Sequence, residues 1–249
     1  MKKTRNYPGP PISVGGAKRV LKFGAVFPKT TLETPRLRLL PAIGDHRIRQ
    51  AFELIQPPDL KAGLNLPQDL SLSEFRKKLI DNEPFAFFLL EEKTSGNLVG
   101  LLGAWTICPI RGWAQILYGL SAGFRGNGYA KEGSEALIKS LFRSELVKGV
   151  GAIVVGPNPQ SHAVLGKLGM TSILKLGDRE FFGLSRASFE RRGASLTAKH
   201  PDEQGAQGSP IHGQVVLALL KKLVIRLSTS NRDSPTGKLA AAACSVLLR

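Results

Sequence analysis

Hydrophobic and polar positions recur with two different periods along the middle of the chain. Polar and apolar residues alternate over residues 36–39, which is the period of a half-buried strand. Apolar residues in 129–142 instead recur at helical spacing, with Lys131, Glu135 and Lys139 on the opposite side. Two apolar runs at 85–90 and 98–107 are joined by a polar connector ending in Gly-Asn, a pattern typical of a β-hairpin.

The same patterns predict an ordered series of elements. The series consists of a strand at residues 36–39, helices at 45–55 and 71–80, strands at 85–90, 98–107 and 114–121, a helix at 129–142, a strand at 152–155, a helix at 160–168, and strands at 170–176 and 180–184. This alternation of strands and helices predicts one α/β (α+β) domain over residues 32–190. We expect a mixed, largely antiparallel central sheet flanked by helices, because most connections between the strands are short.

The two ends of the chain lack this patterning. Residues 1–31 contain a proline cluster and no hydrophobic period, which predicts a flexible basic arm. An organellar transit peptide is an alternative for this arm, because such segments are also basic and free of acids. Residues 191–249 predict a low-order basic linker and tail, with a possible short amphipathic helix at 214–227.

Charge separates the ends from the middle. The chain of 249 residues has a formal net charge of +16. Residues 1–32 hold seven Lys or Arg and no acid, and residues 191–249 hold nine Lys or Arg against three acids. The middle is nearly balanced, which disfavours a dedicated nucleic-acid-binding domain. Weak contact of the basic ends with a polyanion and solvated ends without a partner both remain open.

The small number of cysteines and the shortness of the apolar stretches argue against a disulfide-rich, zinc-binding or membrane-spanning protein. Two cysteines, Cys108 and Cys244, cannot form a disulfide framework, and no Cys/His cluster has the spacing of zinc ligands. The longest apolar stretches fall well short of the roughly 20 residues that span a bilayer. We therefore expect a cytoplasmic protein with no metal and no membrane contact.

A loop between a predicted strand and a predicted helix carries the clearest chemical signal. The strand ends near Leu120, Gly126 and Gly128 lie in the loop, and the helix begins at Tyr129. Glycine permits positive φ, and free N–H groups at a helix N-terminus favour phosphate. A tight turn that binds nothing fits the same residues. The loop lacks the Gly-Lys-Ser/Thr of a P-loop and the third glycine of a Rossmann loop.

This loop resembles the acyl-CoA loop of the GNAT N-acetyltransferase superfamily. The signature is Arg/Gln-x-x-Gly-x-Gly/Ala, and Arg125, Gly128 and Ala130 stand at its three positions. Three further segments are similar to the branch that acetylates ribosomal-protein N-termini, and they are residues 33–39, 96–100 and 158–170. The four segments follow in the expected order across residues 32–190.

The resemblance implies a fold, an activity and a set of site residues. It implies the acyl-CoA N-acyltransferase fold and transfer of an acetyl group from acetyl-CoA to a primary amine by direct attack in a ternary complex. The amine could belong to a peptide N-terminus or to a small molecule. The implied cofactor-binding residues are Leu120, Arg125, Gly126, Asn127, Gly128, Tyr129, Ala130 and Asn158. Ser161 matches the serine that protonates the departing thiolate; a plain residue near a helix cap is the other interpretation.

One position departs from the family pattern. Gln115 stands where relatives often carry a glutamate, and an amide cannot accept a proton. An acceptor amine of low pKa, such as an α-amine at about 7.7–8.0, would need the least help. His162 is expected to be solvated rather than catalytic, and Tyr118 to be a packed strand residue. The alternative function is a catalytically silent module of this fold that binds RNA or ribosome through its basic ends.

Overall fold

The computed structural model describes residues 26–64, 66–79, 85–108 and 112–197. Within them, the strands are β1 (Leu32–Glu33), β2 (Leu37–Pro41), β3 (Phe85–Glu92), β4 (Leu98–Cys108), β5 (Trp113–Leu120), β6 (Gly149–Val155), β7 (Thr171–Leu176) and β8 (Arg179–Ser185). The helices are α1 (Asp45–Leu54), α2 (Pro58–Gly63), α3 (Leu72–Leu79), α4 (Tyr129–Leu141), α5 (Pro159–Leu168) and α6 (Arg186–Thr197).

The described strands form one sheet in the order β1-β2-β3-β4-β5-β6-β8-β7. All neighbouring pairs are antiparallel except β5 and β6, which are parallel. Parallel neighbours need a long crossover, and α4 supplies it between these two strands. The prediction of a mixed, largely antiparallel sheet flanked by helices is confirmed.

The parallel pair is short and then opens. Its register joins Trp113, Ala114 and Gln115 to Gly149, Val150 and Gly151, and no further pair follows although both strands continue. Residues 116–120 remain paired to β4 on their other side. A gap therefore opens between β5 and β6 in the middle of the sheet, and it leaves one edge of β5 without a neighbouring strand.

Each face of the sheet has its own hydrophobic core. On one face α4 and α5 pack through fully buried Leu137 and Leu165 against strand residues such as Ile116. On the other face Phe75 of α3 packs with Leu89 and Leu101. Successive strand residues alternate between the faces, so Ala114 and Ile116 belong to the first core and Leu117 packs against the second.

Local caps explain several helix ends. Ser71 and Glu74 form a reciprocal capping box at α3, in which each side chain accepts the backbone N–H of the other. Gly169 ends α5 in the left-handed conformation with φ of 80°, as predicted. Helix α2 was not predicted, because its six residues are too few to display a hydrophobic period.

The structure moves both predicted domain boundaries. Phe27, assigned to the arm 1–31, is 3% exposed and belongs to the core beneath α4, so the domain starts before residue 32. Helix α6 runs past residue 190 into the predicted linker of 191–249, because Ser185 accepts the N–H of Ser188 at its start and Arg192 donates to the carbonyl of Lys167. Residues 1–25 of the arm and residues 198–249 of the tail, with the predicted helix at 214–227, lie outside the described residues.

Candidate functional site

The glycine loop has the backbone of an anion-binding turn. Gly126 and Gly128 have φ of 83° and 81°, and α4 begins immediately afterwards at Tyr129. Within the described part of the chain, the N–H groups of residues 126–131 donate no hydrogen bond, whereas that of Arg125 donates to Ala122 at 3.3 Å. Six free donors at the positive end of a 13-residue helix suit a phosphate group.

The Arg125 side chain fastens this loop to α2. Its Nε donates to the carbonyl of Leu120 at 3.0 Å, and its Nη2 lies 2.5 Å from Asp59 Oδ2. The hydrogen bond from Arg125 holds the pKa of Asp59 below its usual value. The guanidinium is thus already paired, and its first role in this geometry is to brace the loop and the end of β5.

Arg36 is a second cation beside the loop, and no sequence pattern near it indicated this position. Its Nη2 lies 3.4 Å from the position that a Cβ on Gly128 would occupy. Two groups hold it there: the Glu132 carboxylate at 2.6 Å, and the ring of Tyr129, whose centroid is 4.7 Å from the guanidinium carbon. Burial favours a raised pKa for Glu132, but hydrogen bonds from Thr34 and Arg36 outweigh it and lower that pKa.

A cavity of about 220 Å³ fills the gap between β5 and β6. Its wall includes Tyr118, Asn158 and Ser161 on the side of the sheet covered by α4 and α5. It also includes Gln115 and Arg179, which alternate with residues of that core and therefore belong to the opposite face. The cavity thus communicates with both faces of the sheet.

Asn158, Ser161 and Tyr118 lie close together on the side of the sheet that α5 covers. Asn158 caps α5 through its Oδ1, which accepts the N–H of Ser161 at 3.0 Å. The hydroxyl of Tyr118 donates to the carbonyl of Ser161 at 3.3 Å. Burial raises the pKa of Tyr118 to about 12, so the phenol keeps its proton at neutral pH. The structure thus places the Tyr118 hydroxyl next to Ser161. The sequence had indicated only that Tyr118 is a packed strand residue.

His162 follows Ser161 on α5, and both of its ring nitrogens are engaged. Nδ1 lies 2.7 Å from the carbonyl of Asn158, and Nε2 lies 3.0 Å from Glu180 Oε2. Both partners only accept hydrogen bonds, so this arrangement selects the doubly protonated imidazolium. The bonds to Asn158 and Glu180 raise the pKa of His162. Because both ring nitrogens are engaged, His162 holds α5 in place and offers no free nitrogen to act as a base.

The described residues show two absences. They contain no group of three or more His, Cys, Asp or Glu side chains that could hold a metal ion. None of their helices is long and apolar enough to cross a membrane.

Comparison with known proteins identifies the family. A sequence profile described as an acetyltransferase (GNAT) domain matches residues 36–171. A spermidine N-acetyltransferase from Vibrio cholerae, solved with CoA and spermine, superposes with a TM-score of 0.55 at 16% identity, covering 63% of this chain and 99% of that one. An aminoglycoside acetyltransferase solved with coenzyme A superposes with a TM-score of 0.52 at 15% identity, covering 63% of this chain and 97% of that one.

An acetyltransferase from Agrobacterium tumefaciens gives a TM-score of 0.53 at 22% identity, covering 63% of this chain and 94% of that one. No curated protein sequence matches the chain significantly. The structural likenesses agree with the fold, and the profile spans more than half of the 249 residues, including the glycine loop. The chain belongs to the GNAT acetyltransferase family.

Proposed function

We propose that this protein transfers the acetyl group of acetyl-CoA to a primary amine, by direct attack within a ternary complex. Family membership provides the class, an acetyl-CoA-dependent N-acetyltransferase. The observation that carries the proposal is the gap between β5 and β6, where a cavity reaches both faces of the sheet. A thioester entering from one face and an amine entering from the other could meet there without a covalent enzyme intermediate.

The cofactor is proposed to lie along β5 and the glycine loop. The pantetheine arm would use the backbone groups of residues 116–120 on the edge that lacks a neighbouring strand, ending at Leu120. The pyrophosphate would accept from the N–H groups of residues 126–131, which include Gly126, Asn127, Gly128, Tyr129 and Ala130. Arg125 would act by bracing this loop, and Asn158 by shaping the cavity wall.

The proposed reaction exchanges one bond for another. The neutral amine forms a bond to the thioester carbonyl carbon, and the carbon–sulfur bond then breaks to release the CoA thiolate. A backbone donor near the carbonyl would stabilise the oxyanion. The departing thiolate would lie near the N-terminus of α5, where the Ser161 hydroxyl would donate to it and the Tyr118 hydroxyl would turn from the Ser161 carbonyl to do the same. The proton lost by the amine would pass to water.

The acceptor follows from the missing base. Gln115 lines the cavity and cannot accept a proton, so the amine itself must lose one easily. An α-amine with a pKa of about 7.7–8.0 meets this need better than a lysine side chain at about 10.4. A peptide N-terminus or a small-molecule amine of low pKa is therefore the proposed acceptor. The similar spermidine and aminoglycoside acetyltransferases support amines as the general class.

The test is acetyl transfer by the full-length protein to a panel of amines, measured as release of free thiol. Ser161→Ala and Tyr118→Phe should lower kcat while leaving the KM for acetyl-CoA nearly unchanged, because both hydroxyls would act on the leaving group. Acetyl-CoA binding without turnover of any amine would contradict the proposal.

Binding without turnover would favour the alternative, a silent module that holds RNA or ribosome through its basic ends. The chain's net charge of +16 motivates that alternative and a weak, salt-sensitive contact with a polyanion. Retention of RNA at low salt and its loss at high salt would measure the contact.

The scarcity of cysteine favours a reducing compartment, which we propose to be the cytoplasm.

A further inference from the structure

We infer that the acceptor carries a carboxylate close to its reacting amine, and that Arg179 binds this carboxylate. The inference rests on the proposed function, because it names the chemical class of amine that the same cavity would take. It depends on the position of Arg179, on the polarity of the wall around it, and on Gln115, whose amide cannot accept a proton.

Arg179 lies at the open end of the gap between β5 and β6. It is the first residue of β8, is paired with Val155 at the end of β6, and is half-buried in the cavity wall. Its neighbour Glu180 faces α5, where it binds His162, so Arg179 faces the opposite side of the sheet together with Gln115. This is the side from which the amine would approach.

The guanidinium of Arg179 has free donors. Among the described residues it makes no hydrogen bond and no ion pair, whereas Arg36, Arg125 and Arg186 all have carboxylate partners. A guanidinium presents five N–H donors in a plane that matches a carboxylate with two parallel bonds. A half-buried guanidinium of this kind in a cavity wall is suited to bind an anion that enters the cavity.

Arg179 is the only charged residue among the described residues of the cavity wall, so the cavity is electropositive. Gln115, Trp105 and Leu64 are neutral, and none of the described lining residues is an aspartate or glutamate. A carboxylate would be attracted to this wall, whereas an acceptor with several cationic amines would meet an uncompensated positive charge. This polarity separates the expected acceptor from polyamines.

The same cation would help to prepare the nucleophile. A positive charge near an amine disfavours its ammonium form and lowers its pKa. The acceptor's own carboxylate acts in the opposite sense, and Arg179 would offset it and so ease the loss of a proton that Gln115 cannot accept. The carboxylate could belong to a free amino acid or to an acidic residue at the start of a peptide, and the recognising chemistry is the same for both.

Two matched pairs of acceptors separate these sources. The first pair is a free amino acid and its carboxamide, and the second is a peptide with aspartate or asparagine directly after its N-terminal residue. Each is tested with full-length protein in two measurements, thiol release with acetyl-CoA and calorimetric binding to the protein saturated with CoA. Spermidine serves as the polycationic comparison.

The expected result is a preference for the carboxylate member of at least one pair. Loss of a charge-assisted bond corresponds to about a ten- to hundredfold change in kcat/KM or Kd. Arg179→Gln should reduce this preference to about twofold or less, because it lowers turnover of the carboxylate acceptors more than that of the amide acceptors, and Arg179→Lys should keep part of the preference. Arg49→Gln, at an exposed arginine of α1 outside the cavity wall, should leave the preference unchanged.

The outcomes distinguish the two levels of the argument. Carboxylate selectivity in binding that depends on Arg179, with no thiol release from any amine, would support the inference and refute the proposed function. Turnover with equal use of carboxylate and amide acceptors, a preference for spermidine, or a preference that survives Arg179→Gln would refute the inference and leave the proposed function standing. Absence of both selective binding and turnover would refute both.

Discussion

Substitution of Gly128 by aspartate should separate cofactor binding from folding. Gly128 has φ of 81°, in the left-handed region that most side chains avoid but asparagine and aspartate tolerate. A Cβ at this position would have one described atom within 4 Å, Arg36 Nη2 at 3.4 Å. The loop is exposed, so the added side chain has room. We therefore expect Gly128→Asp to fold.

The expected loss of affinity comes from charge. Two like charges about 5 Å apart repel by about 1 kcal/mol in bulk water and about 3 kcal/mol at an effective dielectric of 20, and we take this separation for a carboxylate at residue 128 beside a pyrophosphate on the loop. Those values correspond to roughly a fivefold to hundredfold rise in the Kd for acetyl-CoA. The neighbouring Arg36 would offset part of the repulsion, which favours the lower half of that range.

Gly128→Asn is the matched control, because it imposes the same backbone strain and nearly the same volume without the charge. Calorimetric titration with acetyl-CoA should rank the wild type and Gly128→Asn above Gly128→Asp, with thermal unfolding showing that both variants are folded. The difference between the two variants should shrink at high salt. Equal affinities for Gly128→Asp and Gly128→Asn would show that no anion binds at this loop, and the proposed cofactor position would be wrong.

Three further predictions concern stability. Phe27→Ala should lower the free energy of unfolding by about 3–5 kcal/mol in denaturant titrations, whereas Ala at Ile43, which is 61% exposed, should have little effect. His162→Gln should lower the free energy of unfolding more at pH 6 than at pH 8.5. The raised pKa of His162 stabilises the fold below the ordinary value of 6.5, and this contribution is lost as the pH rises through the raised pKa. A loss of stability that does not depend on pH would contradict this prediction. Gly133→Val should destabilise by about 1–3 kcal/mol through overpacking, because its Cβ would lie 2.8 Å from Leu102; an unchanged melting temperature would contradict it.

Short-range interactions explain what the sequence predicted well. The cap of α5 joins Asn158 to Ser161, and the capping box of α3 joins Ser71 to Glu74, each across three residues. Bonds of this kind leave a pattern of residue types that can be recognised in the chain. Strand alternation and helical spacing are equally local, so the fold class and most of the elements, though not β1 and α2, followed from them.

The same reasoning failed wherever a distant partner decided the outcome. Asp59 lies 66 residues from Arg125, and nothing near Arg125 in sequence indicated that it would be paired. Phe27 looked like part of an arm, because a single buried side chain has no period. Its burial depends on the core formed by strands and helices much later in the chain.

The sequence by itself determined the elements, the glycine loop and the positions of Asn158 and Ser161 on a capped helix, because each depends on bonds between residues close along the chain. Tertiary structure alone decided where the candidate site lies. The early end of the β5–β6 pairing opened the cavity, the packing of α5 on the sheet brought Ser161 to Tyr118, and the sheet register brought Arg179 to the end of β6. These juxtapositions depend on which strands pair and in which register, and that choice is made by the packing of the whole domain.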